Sequence, residues 1–422
     1  MEVKPGYKLT EAGVIPDDWN AERIGSQAEF VTSGSRGWAQ FYSDSGALFI
    51  RSQNVRDGTL DFEDIQYVSP PAGAEGNRTK VKLNDLLITI TGNSVGNVAL
   101  VKQSFPEAYI SQHVGLVRLK EPQRGIYICR YLAPSAPGNP QIAGSQSGQS
   151  KPGLNLQNLR DFWIALPPTT EEQRAIAEAL NDVDGLLGGV DRLIAKKRDL
   201  KQAAMQQLLT GQTRLPGFEC EWEETSLGKV ADVFKGEGLS KGMVSTVATK
   251  PCILYGELFT TYGRIIHSVA GRTDSSEGVL SVSGDVLMPG STTTTGIDLA
   301  TASALSLGGV ALGGDINIIR RKRDDYSPQF LAYLLTHVKR QTIAELSQGI
   351  TIHHLYGRDL KRLDLTMPSV PEQTAIAEVL ADMDAELAAL EQRRAKTRAL
   401  KQAMMQELLT GRIRLVKPGT AA

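Results

Sequence analysis

A serine between two glycines, Gly92-Asn93-Ser94-Val95-Gly96, is the first cluster in this sequence that could do chemistry. It fits the G-x-S-x-G turn that presents a nucleophilic serine, which requires a strand, a sharp turn and then a helix. Here a β-rich run, Val98–Val101, follows instead, so the glycines are read as shaping a hairpin turn. Of the five histidines, His113, His267, His337, His353 and His354, none has metal spacing such as H-E-x-x-H. The pair His353-His354 reads as part of a solvated loop. A phosphate-cradling G-x-x-x-x-G-K-[ST], a helix-opening G-x-G-x-x-G and an adenine-methylating N/D-P-P-Y/F are all absent. Cys129, Cys220 and Cys252 are scattered without a C-x-x-C pair, which points to a reducing compartment and no zinc site. No catalysis is expected of this chain, and no cofactor.

What remains is a set of polar loops suited to nucleic acid. In the first half they carry Arg36 and Trp38, then Arg51, Gln53 and Asn54, Asn93 and Ser94, Gln112 and His113, and Gln146, Gln149 and Lys151. In the second half they carry Lys235 and Lys241, Tyr262 and Arg264, the threonines Thr292, Thr293 and Thr294, and Gln348, Thr351, His353 and His354. Arginine, asparagine and glutamine pair bidentately with base edges, while hydroxyls, lysines and backbone N–H groups hold phosphates. Any one of these stretches also reads as an ordinary solvated loop.

The elements that must position these loops are written twice. Glu172–Leu215 returns at Glu372–Leu415, displaced by 200 residues without a gap, and about 25 of 44 paired positions are identical. The chain is therefore two copies of one unit. Strong helix formers dominate both stretches and proline is absent, so each reads as one helix. Ile176, Leu180, Val183, Leu187, Val190 and Ile194 are spaced as in a coiled-coil seam, repeated by Ile376, Leu380, Met383, Leu387 and Leu390. Acids cluster at the starts and bases past the middle, as the helix dipole favours. Thr210-Gly211 and Thr410-Gly411 supply C-terminal glycines. About 40 residues make a rod of roughly 60 Å.

The expected organisation is α+β, with two mixed α/β recognition units and two long antiparallel helices in a pseudo-twofold repeat. Residues 1–168 form the first unit and 169–212 the first rod. Residues 213–368 form the second unit and 369–415 the second rod, and 416–422 form a tail. Asp85-Leu86-Leu87 is answered by Asp285-Val286-Leu287, and Gly96 by Gly296, while most loop residues differ. A kept scaffold with diverged loops suits two different targets. Since each rod leaves one unit and returns toward the other, the rods should be antiparallel with one unit near each end. Net charge is −1 and pI about 6.6, so any DNA contact must be local. The N-terminus is polar and no run of 18 apolar residues occurs, so a cytoplasmic protein without a membrane span is expected.

Together these features resemble the specificity subunit of Type I restriction–modification systems. The resemblance rests on GYKLTEAGVIPDDW, LNDLLITITGNSVG, VSGDVLMPG and the paired EQxAIAExL…LLTG rods, and it covers nearly the whole chain. It implies two target-recognition domains, each reading one half of a split double-stranded DNA sequence. It implies two modification subunits that bind S-adenosylmethionine, and a restriction/translocase subunit. The partner-docking residues are expected to be Ile176, Leu180, Val183 and Leu187, with Ile376, Leu380, Met383 and Leu387. The alternatives are a recognition subunit of a related nuclease-methyltransferase outside Type I, and a coiled-coil scaffold without DNA.

Overall fold

The computed structural model describes residues 3–70, 73–146 and 153–416. It divides into two compact units. The first takes residues 1–191 with 393–422, and the second takes 192–392. The long helices Thr170–Leu208 and Val370–Leu408 have 39 residues each. Each unit thus owns the start of one helix and the end of the other.

In the first unit an antiparallel sheet runs in the order Ala28–Ser33, Val114–Leu119, Leu86–Thr89, Val98–Leu100. A second sheet carries the parallel pair Ala108–Ile110 and Ala47–Ile50. In the second unit the corresponding sheet is Ala231–Lys235, Ile316–Arg321, Asp285–Pro289, Ser303–Leu305, Ile265–Ile266. A parallel pair, Lys250–Ile253 with the strand Ala311–Leu312, again stands beside it. The central strands Leu86–Thr89 and Asp285–Pro289 are buried throughout, which explains the apolar runs 86–88 and 286–288 within them, while the buried Asp285 is paired with Arg320. A short helix covers each sheet, Gly125–Leu132 in one unit and Pro328–His337 in the other. A second short helix, Arg340–Leu346, follows Pro328–His337 after a break at 338–339.

The rods belong to these cores. Ile176 and Leu180 pack with Tyr127, Phe162, Met405 and Leu408. Ile376 and Leu380 pack with Phe330, Leu334, Leu208 and Leu209. All four residues are at most 1% exposed, so the expectation that they face a partner is overturned. Their apolar spacing serves the chain's own domains, because a rod's first turns need burial as much as a seam does.

Ion pairs set the antiparallel register of the rod halves within each unit. Lys401 Nζ stands 2.8 Å from Asp184, and Arg394 is 3.2 Å from Asp191. In the second unit Lys201 pairs with Asp384, and Lys197 with Glu386 at 2.7 Å. A helix of each domain grips the same acid. Arg130 Nη1 reaches Asp184 at 2.6 Å, and the Tyr333 hydroxyl donates to Asp384 at 2.7 Å. Beyond the rod ends, Arg414 forks onto Glu172 and Asp18 beneath Trp19, and Arg214 forks onto Glu372 beneath Trp222.

Glu372 is 1% exposed and its two oxygens accept from Arg214 at 2.6 Å each. Removing one partner of such a pair costs about 3–5 kcal/mol when both are buried, and Arg214 is partly open to solvent. Glu372→Ala should therefore lower unfolding free energy by about 2–3 kcal/mol, below that buried-pair range. The double change Glu372→Leu with Arg214→Met should lose less than Glu372→Ala alone. Urea titration of the intact chain reads both, and an equal or larger loss in the double variant would exclude this role.

Candidate nucleic-acid interface

The strand registers bring several of the predicted loops to one end of each unit. In the first unit Ser33 and Thr89 both stand at the start of Val114–Leu119, opposite Gly115 and Val114. Ile50 lies beside Ile110, and Ser111 N donates to Ile50 O at 2.8 Å. The loops after 33, 50, 89 and 110 therefore emerge together. Ser35 bridges Ser111, and Thr91 bridges Gly153. Gly34 lets two of these loops cross, since a Cβ there would lie 2.2 Å from Ile110 O. The second unit repeats the crossing, with Gly236 at 2.0 Å from Gly313 O by the same measure. Its Lys235 and Pro289 end at the start of Ile316–Arg321. The pairing of Ser291–Thr292 with His353–His354 brings the threonine and histidine loops side by side.

At this end Arg36, Gln53, Asn93, Gln112 and His113 are exposed, and Ser94 and Gln146 are half-buried. Arg36 has no ion-pair or hydrogen-bond partner among the described residues. His113 bonds Thr91 and Gln112, a contact that orients its ring. In the second unit Lys241, Thr293, Thr294, Gln348 and Thr351 are exposed, and His353 and His354 are half-buried. Lys235 is exposed but engaged with Asp315 at 3.0 Å. Gln149 and Lys151 lie outside the described residues.

Other predicted residues hold the structure instead of facing solvent. Trp38 is 3% exposed, stacked on Phe49 at 5.9 Å and tilted against Tyr109 at 5.3 Å. Asn54 is 2% exposed and donates to Asp61 O and Asp64 O, both at 2.9 Å. Arg51 is drawn onto Asp64 at 2.8 Å. Thr292 is buried with its hydroxyl 2.8 Å from that of Thr294. The half-buried Tyr262 accepts from Ala270 N at 3.1 Å. Arg264 donates to Ala302 O at 2.8 Å and Thr336 Oγ1 at 3.0 Å, beside the rod and away from the loops. Burial lowers the Arg264 pKa. His337 is pushed down to about 4 by burial, then by the charges of Arg264 and Lys201, so it is neutral at pH 7.

Sequence reasoning missed two features. Arg78 donates to Ser33 O at 2.9 Å and Ser35 Oγ at 3.0 Å, fixing the loop that carries Arg36. His354, Tyr356 and Arg358 form a ladder, with the rings 6.2 Å apart and the guanidinium 5.2 Å from Tyr356. A cavity of about 310 Å³ opens beside it, lined also by Phe234 and Lys361. The alternating aromatic and basic residues of His354-Leu355-Tyr356-Gly357-Arg358 were the available signal.

Val183, Leu187, Met383 and Leu387 are half-buried on the rods. The exposed apolar positions are Leu186 (44%) and Leu400 (55%) in the first unit, and Leu193 (40%) and Leu200 (47%) in the second. Among the described residues no group of three or more His, Cys, Asp or Glu could hold a metal, and no helix is long and apolar enough to cross a membrane.

Known proteins carry the same arrangement. Residues 45–190 and 219–398 each match the family described as Type I restriction modification DNA specificity domain. A putative type I restriction enzyme MjaX specificity subunit from Methanocaldococcus jannaschii is 23% identical over 428 residues, covering 97% of both chains. The crystal structure of a Type I restriction–modification S subunit from M. genitalium superposes with a TM-score of 0.61 at 15% identity, over 96% of this chain and 98% of that one. A chain from a structure on complex assembly of the type I R-M system gives 0.57 at 19% identity, over 94% and 99%.

The separation of anchoring from exposed side chains gives distinct expectations. Arg264→Ala should lower the melting temperature by several degrees and leave DNA affinity within twofold, because its partners are Ala302 and Thr336. Arg36→Ala should leave melting unchanged and weaken DNA binding by about 1–3 kcal/mol if it meets a base. Thermal melts and fluorescence anisotropy with the chain's own DNA target separate the two, and the reverse pattern would exclude this assignment.

Proposed function

Because the chain belongs to the type I restriction–modification DNA specificity family and holds two copies of its domain, we propose that each copy reads one half of a split, asymmetric DNA sequence. The chain is a DNA-binding specificity subunit. One observation carries the split reading: two units share a strand register and a glycine crossing, yet present different side chains at the loop end. Arg36, Asn93, Gln112 and His113 serve the first half-site. Lys241, Thr293, Thr351 and His353 serve the second. Binding is local, since the chain as a whole carries a net charge of −1.

We assign no catalytic step to this chain. Methyl transfer from S-adenosylmethionine belongs to two modification subunits, and cleavage to a restriction/translocase subunit, all working in the cytoplasm. The modification subunits dock on the rods through the exposed leucines. Leu186, Leu193 and Leu200 recur every seventh residue on one helix, a spacing that suits a partner helix. The second rod has Glu386, Arg393 and Leu400 at the corresponding positions.

Co-expression with the modification subunit, followed by methylation mapping, tests both parts. Changes at Arg36 or Gln112 should relax the first half of the methylated motif only, and changes at Thr293 or His353 the second only. A change that alters both halves equally would refute the division of labour. Leu193→Asp with Leu200→Asp should reduce recovery of the modification subunit at least tenfold while the chain stays folded by circular dichroism. Undiminished recovery would move the docking face elsewhere.

A further inference from the structure

Ile350 is 95% exposed, more than any other large apolar side chain among the described residues. It stands at the tip of a hairpin closed by two backbone bonds. Gln348 N donates to His354 O at 2.9 Å, and His354 N to Gln348 O at 2.8 Å. Gly349 takes φ +118°, and a Cβ there would lie 2.0 Å from Ile352 O, so the turn requires glycine. Pairing of His353 with Thr292 fastens the hairpin to the threonine loop, and Gln348 Nε2 donates to Asp359 at 3.2 Å. The fold thus presents an isoleucine to water on a fixed mount, and its β-branch restricts χ1. Beside it the hairpin carries the exposed Thr351 and the half-buried His353, both hydrogen-bonding groups.

We propose that Ile350 reads the C5-methyl of a thymine in the major groove of the second half-site. This rests on unit 2 being a DNA-recognition domain. The major groove offers hydrogen-bonding edges and one apolar group, the thymine methyl, and it admits a two-stranded ribbon. Ile352, two residues on in the same hairpin, is 45% exposed, but Ile350 at 95% is its tip, and an apolar tip beside a hydroxyl and an imidazole is the complement of a methyl among polar edges. In sequence, Gly144–Gly153 stands at the corresponding point of the first copy, and GSQSGQSKPG has no large apolar residue. The contact therefore belongs to the second half-site alone. An exposed isoleucine can also wedge between base steps from the minor groove. That use does not depend on a methyl, so the two are separable.

The test uses the full chain with its modification subunits and a duplex bearing the mapped motif. Each thymine of the second half-site is replaced singly by uracil, which keeps the hydrogen-bonding edge and lacks the methyl. One replacement should weaken the unaltered complex roughly threefold to tenfold, the scale of one buried methyl. The Ile350→Ala complex should bind the thymine and uracil duplexes equally, and Ile350→Val should keep most of the discrimination. Uracils in the first half-site should act alike on all three proteins. The proposal is overturned if every second-half uracil is silent, if Ile350→Ala keeps the sensitivity, or if that half-site has no A·T pair. Silent uracils together with 2-aminopurine unstacking that Ile350→Ala abolishes would establish the wedge instead. A complex with no preference for the motif would overturn the DNA reading as well.

Discussion

Glu172 and Glu372 are each 1% exposed, and a carboxylate taken out of water costs several kcal/mol unless a cation comes with it. In each unit that cation is an arginine lying just beyond the end of the other long helix, Arg414 for Glu172 and Arg214 for Glu372. The requirement ties the start of one rod to the end of the other. A tryptophan lies under each guanidinium, Trp19 and Trp222. With the rod ends fixed, Ile176 and Leu180, or Ile376 and Leu380, have one direction in which to bury, which is into the domain core. The domain is thereby set on its rod by groups other than the predicted DNA-facing side chains.

Freed from supporting the fold, the loop ends could diverge. The glycine crossings keep two connections in contact whatever side chains follow them. Arg78 and Asn54 hold the loops of the first unit from within, and Asp298 holds the threonine loop of the second by accepting from Thr294 at 2.6 Å and Thr295 at 2.9 Å. Side chains with such partners form the frame. Those without such partners among the described residues, such as Arg36 and Thr293, are available to a ligand.

The scaffold was legible because its signals are periodic and repeated. Helix formers without proline, a 200-residue offset and the buried runs of Leu86–Thr89 and Asp285–Pro289 each reflect burial or backbone geometry. The site was less legible because one residue type serves both purposes. Arg36 and Arg264 look alike in sequence, yet of the two only Arg264 finds, among the described residues, a carbonyl and a hydroxyl that hold it. Trp38 fits a stacking platform until Phe49 and Tyr109 are placed against it. Ile176, Leu180, Ile376 and Leu380 turn inward for a related reason. Heptad spacing marks an apolar stripe without saying whether a domain, the other rod or a partner covers it, and Leu186, Leu193 and Leu200, each exposed, repeat at the same seven-residue interval.

The ion pairs along the rods also decide what holds one half of the chain to the other. Glu172–Arg414 and Glu372–Arg214 are the same pair at an offset of 200, as are Asp184–Lys401 and Asp384–Lys201. Each half therefore contains both the acid and the base, Glu172 with Arg214 and Asp184 with Lys201 in the first. The pairs discriminate only where the copies differ. At Lys197–Glu386 the counterparts are Thr397 and Leu186, and at Asp191–Arg394 they are Glu391 and Ile194. Two partly exposed pairs supply about 0–1 kcal/mol each, too little to reject a like half. The halves are self-complementary in charge, and the polypeptide link between them supplies the asymmetry: it makes the correct mate the nearest one, at an effective concentration that a free copy would have to match.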